Sequence, residues 1–137
     1  MEEKEYKSIE ELDGYVLFVL NMHRGEQNAI TRWALVKRIY GEGAADEDTQ
    51  NDDNLYDRAV RKSIERLRQQ GQHICNRGNG AGYYVAATRE EYERFKQYYL
   101  GPSYPKFQAV QVMDAAADAR WGKLQRPAPQ GQQSLFA

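Results

Sequence analysis

The stretch "DRAVRKSIERLRQQGQHICNRGNGAGYYVA", residues 57–86, decides the fold because its hydrophobic period changes partway along. Tyr56, Val60, Ile64 and Leu67 recur at helical spacing, Asn54 is placed to cap the start, and Gly71 ends the run. From His73 the pattern becomes a short strand, the glycine-rich turn "GNGAG" (78–82) and a second strand carrying Tyr83, Tyr84 and Val85. A helix running straight into a β-hairpin is the expectation. At about 100° per residue, Arg58 and Lys62 lie opposite the apolar stripe and Arg61 and Arg68 flank it. Glu65 is the one acid on that exposed face.

Two helices are expected upstream. Ser8 and Glu11 form a capping-box pair, and Ile9, Leu12, Val16, Val19 and Leu20 follow at helical spacing until Gly25 and Asn28 interrupt. Thr31 is placed to cap a second helix with Trp33, Leu35, Val36, Ile39 and Tyr40 on its apolar side, closed by Gly41. Between the second and third helices, "GEGAADEDTQNDDN" (41–54) carries six acids and no base, and without hydrophobic periodicity it reads as a mobile loop. Downstream, Thr88 and Glu91 repeat the capping box before "REEYERFKQYYL". "GPSYP" then breaks the chain, and Lys106 to Trp121 is helical, with Phe107, Val110, Met113, Ala117 and Trp121 spaced to pack.

With 137 residues, 41% of them hydrophobic and 12% aromatic, the chain suits one compact domain with extended ends. The net charge of −1 rules out an argument from overall polyelectrolyte character. Local charge is uneven, since 41–54 is acidic and 57–70 is basic, so the field over one surface can differ in sign from the average. A single cysteine, Cys75, allows no internal disulfide. The N-terminus lacks a basic-then-apolar leader pattern, and the longest apolar run, "YVLFVL" (15–20), is too short to span a bilayer. A cytoplasmic protein without a membrane partner is the expectation.

The run 57–86, with its Arg-rich helix, "LRQQG", short strand, glycine-containing turn and "GYYVA", resembles the winged-helix DNA-binding domains of bacteria and their phages. "NAITRWALVKRIYG" (28–41) fits the preceding helix of that family more loosely. The resemblance implies a mainly α fold with a small β-hairpin, a winged helix-turn-helix followed by C-terminal helices and a disordered tail. It divides the chain into an acidic N-terminal segment (1–8), a winged-helix domain (9–88), C-terminal helices (89–121) and a flexible tail (122–137). The acidic loop is 41–54 and the wing hairpin is 72–88. It further implies contact with double-stranded DNA through Arg58, Arg61, Lys62 and Arg68, with Arg77 and Asn79 at the wing tip. The third helix would lie in the major groove and the hairpin would reach phosphates or the minor groove. The acidic loop departs from the short turn usual in the family and puts negative charge just before the recognition helix. A basic helix face is also an ordinary solvated face, and a winged helix also serves protein–protein contacts.

Other chemistry finds little support. "GNGAG" is followed by a strand, not by the helix N-terminus that a phosphate-cradling loop requires. His73 and Cys75 alternate on one strand, but two ligands do not make a zinc site, and His23 is the only other histidine. Whether Cys75 or its neighbour Ile74 takes the core face is open from sequence. The carboxylates sit at helix starts and in the acidic loop, and no enzyme, metal site or cofactor is expected. The aromatic set Tyr92, Phe95, Tyr98, Tyr99, Tyr104 and Phe107 suits a core or a homodimer face of the C-terminal helices better than a base-stacking platform.

The chain ends "RPAPQGQQSLFA" (126–137), a polar stretch that leaves Leu135 and Phe136 with nothing local to bury against. "QQSLF" resembles the bacterial sliding-clamp-binding peptide, with Gln132, Ser134, Leu135 and Phe136 at matching positions and Gln133 in place of a frequent Leu. The resemblance implies docking of Leu135 and Phe136 into an apolar pocket of the clamp, with Gln132 orienting the peptide and "GKLQRPAPQG" (122–131) acting as a tether. Together the two resemblances imply a non-enzymatic, nucleoid-associated accessory factor of DNA replication or repair. A transcriptional regulator of phage or mobile-element type and a protein-interaction adaptor are the alternatives.

Overall fold

The computed structural model describes residues 4–76, 82–101 and 106–123. The wing-tip candidates Arg77 and Asn79 and the clamp-binding candidates Gln132, Ser134, Leu135 and Phe136 lie outside the described residues. The elements run α1 (Ile9–Leu20), α2 (Arg32–Tyr40), α3 (Leu55–Gln69), β1 (Ile74–Asn76), β2 (Tyr83–Val85), α4 (Arg89–Leu100) and α5 (Lys106–Trp121). The fold is mainly α with a small antiparallel hairpin, as the sequence leads one to expect.

Four helix starts are capped by the residues read from the sequence. Ser8, Thr31, Asn54 and Thr88 accept from the backbone N–H of Glu11, Ala34, Asp57 and Glu91 at 3.1, 3.3, 2.9 and 3.2 Å. Each such cap contributes about 1 kcal/mol. Glu91 also reaches beyond its own helix: one carboxylate oxygen accepts from Ala87 N–H and the other from Glu26 N–H, fastening the 3-10 turn Glu26–Asn28 to α4.

α1 stops at Leu20, short of Gly25, because the chain from His23 onward bonds to the hairpin instead. Val85 N–H donates to the His23 carbonyl and Gly25 N–H donates to the Val85 carbonyl, while Ile30 and Tyr83 exchange two hydrogen bonds of 2.8 and 2.9 Å. The open edge of β2 is thereby satisfied by the segment between α1 and α2. Gly82 makes this approach possible: its φ is +144°, and a Cβ there would overlap the Ile30 carbonyl.

The hairpin pairs Ile74 with Val85, Cys75 with Tyr84 and Asn76 with Tyr83. Alternation along so short a strand sends neighbours to opposite faces, and both faces are covered. Ile74 and Val85 join the core made by α1, α2 and α3, through Val16, Val19, Leu20, Leu35, Val36, Ile39, Val60, Ile64 and Leu67. Cys75 and Tyr84 join a second core with Tyr92, Phe95 and Tyr99 of α4 and Ala109, Val110, Met113 and Ala117 of α5. Ile74 and Cys75 are therefore both buried. Phe107, expected to pack, is 49% exposed instead; Ala109 and Val110 take the inward positions of that turn.

The acidic stretch differs from the mobile loop expected. It forms two 3-10 turns, Glu42–Ala44 and Glu47–Thr49, and buries Ala44 and Ala45 against the first core. The side-chain amide of Asn54 ties it down by donating to the carbonyls of Ala44 and Thr49 at 2.9 and 3.0 Å. No helix among the described residues is long and apolar enough to cross a membrane.

His73 sits fully buried in the second core, between the rings of Tyr92 and Trp121. Its Nε2 donates to the Met113 carbonyl at 2.8 Å, which leaves Nδ1 as the unprotonated nitrogen, without a hydrogen-bond partner among the described residues. Burial holds its pKa below the usual histidine value, and the charges of Arg120 and Arg89 act in the same direction, against the Met113 carbonyl and Asp114. The unfolded chain therefore binds the proton first as pH falls. Stability is expected to be full above about pH 6.5 and to decline below it towards the depressed native value. Urea unfolding against pH checks this: the decline between pH 6.5 and 5 should flatten in a His73→Phe variant.

Candidate nucleic-acid interface

Two buried carboxylates organise the surface of α3. Asp57, in its first turn, is 1% exposed and accepts from Arg32 Nε and Nη2 at 2.9 and 2.6 Å and from Arg61 Nε at 2.8 Å. Arg32 opens α2, so this pairing joins the starts of the two helices. The Asp57 hydrogen bonds push the Arg32 guanidinium pKa up, against the opposing effect of burial. On the other flank, Asp13 of α1 accepts from Ser63 Oγ at 2.6 Å and from Arg66 Nε and Nη2 at 2.9 and 2.7 Å. Burial alone would raise the Asp13 pKa, but the hydrogen bonds from Arg66 and Ser63 and the Arg66 charge carry it below the usual carboxylate range. Arg32 and Asp13 were not singled out in the sequence. Asp13 does carry a signal, a carboxylate on the edge of an apolar helical stripe, which demands a cation from elsewhere. Arg32 carries none that is local.

The residues expected to meet DNA fall into two groups. Arg58 and Lys62 are exposed and Arg61 is half-buried, all on the N-terminal half of α3. Lys62 makes no ion pair among the described residues, whereas Arg58 lies 3.4 Å from Asp53 and Arg61 is held by Asp57. Arg68 must be corrected: it is 5% exposed and points into the protein. Its Nε donates to the Ile74 carbonyl at 2.8 Å, its two terminal nitrogens reach Glu65 and Asn76, and its guanidinium lies against the rings of Phe95 and Tyr99 at 4.8 and 4.9 Å. A buried cation resting against two adjacent aromatic rings and hydrogen-bonded in a low-dielectric site is an internal strut. Glu65 is engaged in the same corner, accepting from Tyr99 Oη at 2.7 Å. α5 packs along the end of α3, and Phe95 and Tyr99 of α4 reach Arg68 and Glu65 there, while Arg58 and Lys62 stand exposed on its first turns.

Beside those turns, a recess of about 390 Å³ is lined by Arg32, Arg58, Arg61, Asp52, Asp53 and Tyr83 among others. It lies between the start of α3 and the base of the hairpin, and the guanidinium groups of Arg32, Arg58 and Arg61 converge on it. Asn76 and Gly82 also line it.

The remaining candidates are accounted for structurally. Tyr92, Phe95 and Tyr99 are buried within the chain, Tyr98 and Phe107 are exposed, and Tyr104 lies outside the described residues. Burial pushes the Cys75 thiol up to about 12, which keeps it protonated and unreactive. Among the described residues no group of three or more His, Cys, Asp or Glu is placed to hold a metal ion. Comparison of the chain with protein-family models, curated proteins and solved structures finds no match.

The internal role of Arg68 separates it from Lys62 in a stability measurement. Arg68→Ala should lower stability by roughly 2–4 kcal/mol, because it strips the Ile74 carbonyl of its side-chain donor and Glu65 of its cation beside an apolar gap. Lys62→Ala should stay within about 0.5 kcal/mol of the parent. Urea midpoints at constant m value report both.

Proposed function

We propose that this chain is a non-enzymatic DNA-binding accessory factor of replication or repair, tethered to a bacterial sliding clamp by its C-terminal peptide. The observation that carries the reading is the open N-terminal half of α3, which presents Arg58, Arg61 and Lys62 beside a hairpin. The order of elements supports a winged-helix arrangement: two helices, a third with a basic outer face, then an antiparallel hairpin whose edge is closed by the segment before α2. In this arrangement α3 enters the major groove of double-stranded DNA and its cations meet phosphates at the groove wall. The hairpin base lies within the same footprint.

Three cations contacting phosphate supply modest affinity. The expected dependence of log K on log salt has a slope of about −3, with most binding lost at physiological ionic strength. A second attachment compensates, which is where the resemblance of Gln132, Ser134, Leu135 and Phe136 to a clamp-binding peptide enters. A clamp encircling DNA would raise the local concentration of duplex around the domain, so that two weak contacts act together.

Two measurements test the two halves. Duplex binding across a salt series should show the slope above, and Lys62→Ala should make it shallower by about one. The DNA half is refuted if no binding occurs even at low salt. Capture of the chain by a purified bacterial sliding clamp should be abolished when Leu135 and Phe136 are both replaced by Ala. Equal capture of parent and variant, or none of the parent, would refute the clamp half. Tight binding to a single duplex sequence, unaffected by removal of the tail, would identify an operator-binding regulator instead.

A further inference from the structure

The acidic loop does not merely precede α3; it lies on the guanidinium groups that face outward from it. Asp52 Oδ1 sits 2.8 Å from Arg32 Nη2, and the Asp52 carbonyl accepts from Arg58 Nε and Arg61 Nη2 at 3.3 and 3.2 Å. Asp53 adds its carboxylate to Arg58. The loop is held in this position from behind: Asp53 N–H donates to Asn51 Oδ1 at 2.9 Å, and buried Asn54 is anchored to two carbonyls of the acidic stretch.

The two kinds of acid at this corner differ in what surrounds them. Asp57 is out of water and fixes Arg32 and Arg61 in direction, so their remaining donors are preorganised towards the recess. Asp52 is 86% exposed, and its pairing with Arg32 is a surface contact that water and salt screen. It offers a carboxylate where a backbone phosphodiester, which likewise spreads one negative charge over two terminal oxygens, would make the same hydrogen bonds. Arg32, Arg58 and Arg61 therefore form a three-guanidinium cradle filled in the free chain by the Asp52 carboxylate on Arg32, the Asp52 carbonyl on Arg58 and Arg61, and the Asp53 carboxylate on Arg58.

We infer that this cradle is a phosphate site for the nucleic-acid backbone and that Asp52 and Asp53 occupy it in the free protein, so that DNA must displace the loop to bind. The inference rests on the DNA-binding reading above and adds two things to it. Arg32, at the start of α2, becomes a phosphate ligand alongside the α3 cations, and the acidic loop becomes an intramolecular competitor that weakens binding to duplex.

The test compares the full chain with an Asp52→Asn/Asp53→Asn variant and an equal-charge control, Glu47→Gln/Asp48→Asn. The control removes two exposed acids of the same stretch that make no ion pair among the described residues. Binding to a short labelled duplex is followed across a salt series. The Asp52/Asp53 variant should bind about threefold to tenfold more tightly at low salt, with a slope steeper by about one, while the control moves far less. Adding Arg58→Ala to the Asp52/Asp53 variant should remove part of the gain. Inorganic phosphate, compared with chloride at equal ionic strength, should not displace the duplex, because the site takes a phosphate held at neighbouring points of a backbone. If parent and Asp52/Asp53 variant bind with the same affinity and slope, or the control gains as much, the competitor role is overturned while DNA binding stands. Efficient displacement by inorganic phosphate would overturn the assignment to a nucleic-acid backbone. If neither protein binds duplex at low salt, the DNA-binding reading itself fails and this inference falls with it.

Discussion

A three-residue strand buried on both faces sets the rest of this structure. Ile74 and Cys75 are adjacent in sequence and point to opposite sides of the hairpin, and each side requires its own apolar cover. The first core comes from α1, α2 and α3, which fold onto the Ile74–Val85 face. The second face, Cys75 and Tyr84, is left to whatever follows the hairpin, and α4 and α5 close over it. Because the hairpin leaves the end of α3 directly, a helix pair on its far side must also lie along the last turns of α3. The outer surface of α3 is thus divided by packing, with α5 and the rings of Phe95 and Tyr99 against its last turns and its N-terminal half open.

That division sorts the arginines. Those near α4 or α1 are drawn inward by acceptors and rings: Arg68 by the Ile74 carbonyl, Phe95 and Tyr99, and Arg66 by Asp13. Those on the open half are paired to carboxylates, but of two kinds, one buried and one bathed in water. The buried carboxylate of Asp57 fixes geometry, and the exposed one of Asp52 merely neutralises charge. A near-zero net charge is therefore compatible with a surface for polyanions, provided the neutralising acids are the movable ones.

Much of the framework was legible in the sequence because it is local. Each of the four caps lies three residues from the N–H it serves, and the switch from helical to alternating period at His73 marks the hairpin without reference to any distant part of the chain. What the sequence concealed depends on distant partners. Arg68 reads as a flank position of α3 until the aromatic residues of α4, some thirty places away, are laid over it. Both Ile74 and Cys75 read as competing for one core face because the second core is built by helices that only tertiary packing brings there. Ala44 and Ala45 were hidden among acids, although two small apolar residues suffice to anchor a loop when a buried asparagine binds its carbonyls. At the site, the exposed placement of Arg58 and Lys62 follows from the helical wheel. The approach of Arg32 to them does not, since it depends on the crossing of α2 and α3.

The open half of α3 and the start of α2 are the proposed surface for duplex DNA. Backbone amide NMR of the full chain, titrated with a short duplex at low salt, tests it most directly. Shifts are expected to concentrate at Arg32, Asp52, Asp53, Arg58, Arg61 and Lys62, with little change along the outer side of α1 around Phe18. Shifts confined to α1 or to the outer side of α5, with those six residues unmoved, would contradict it.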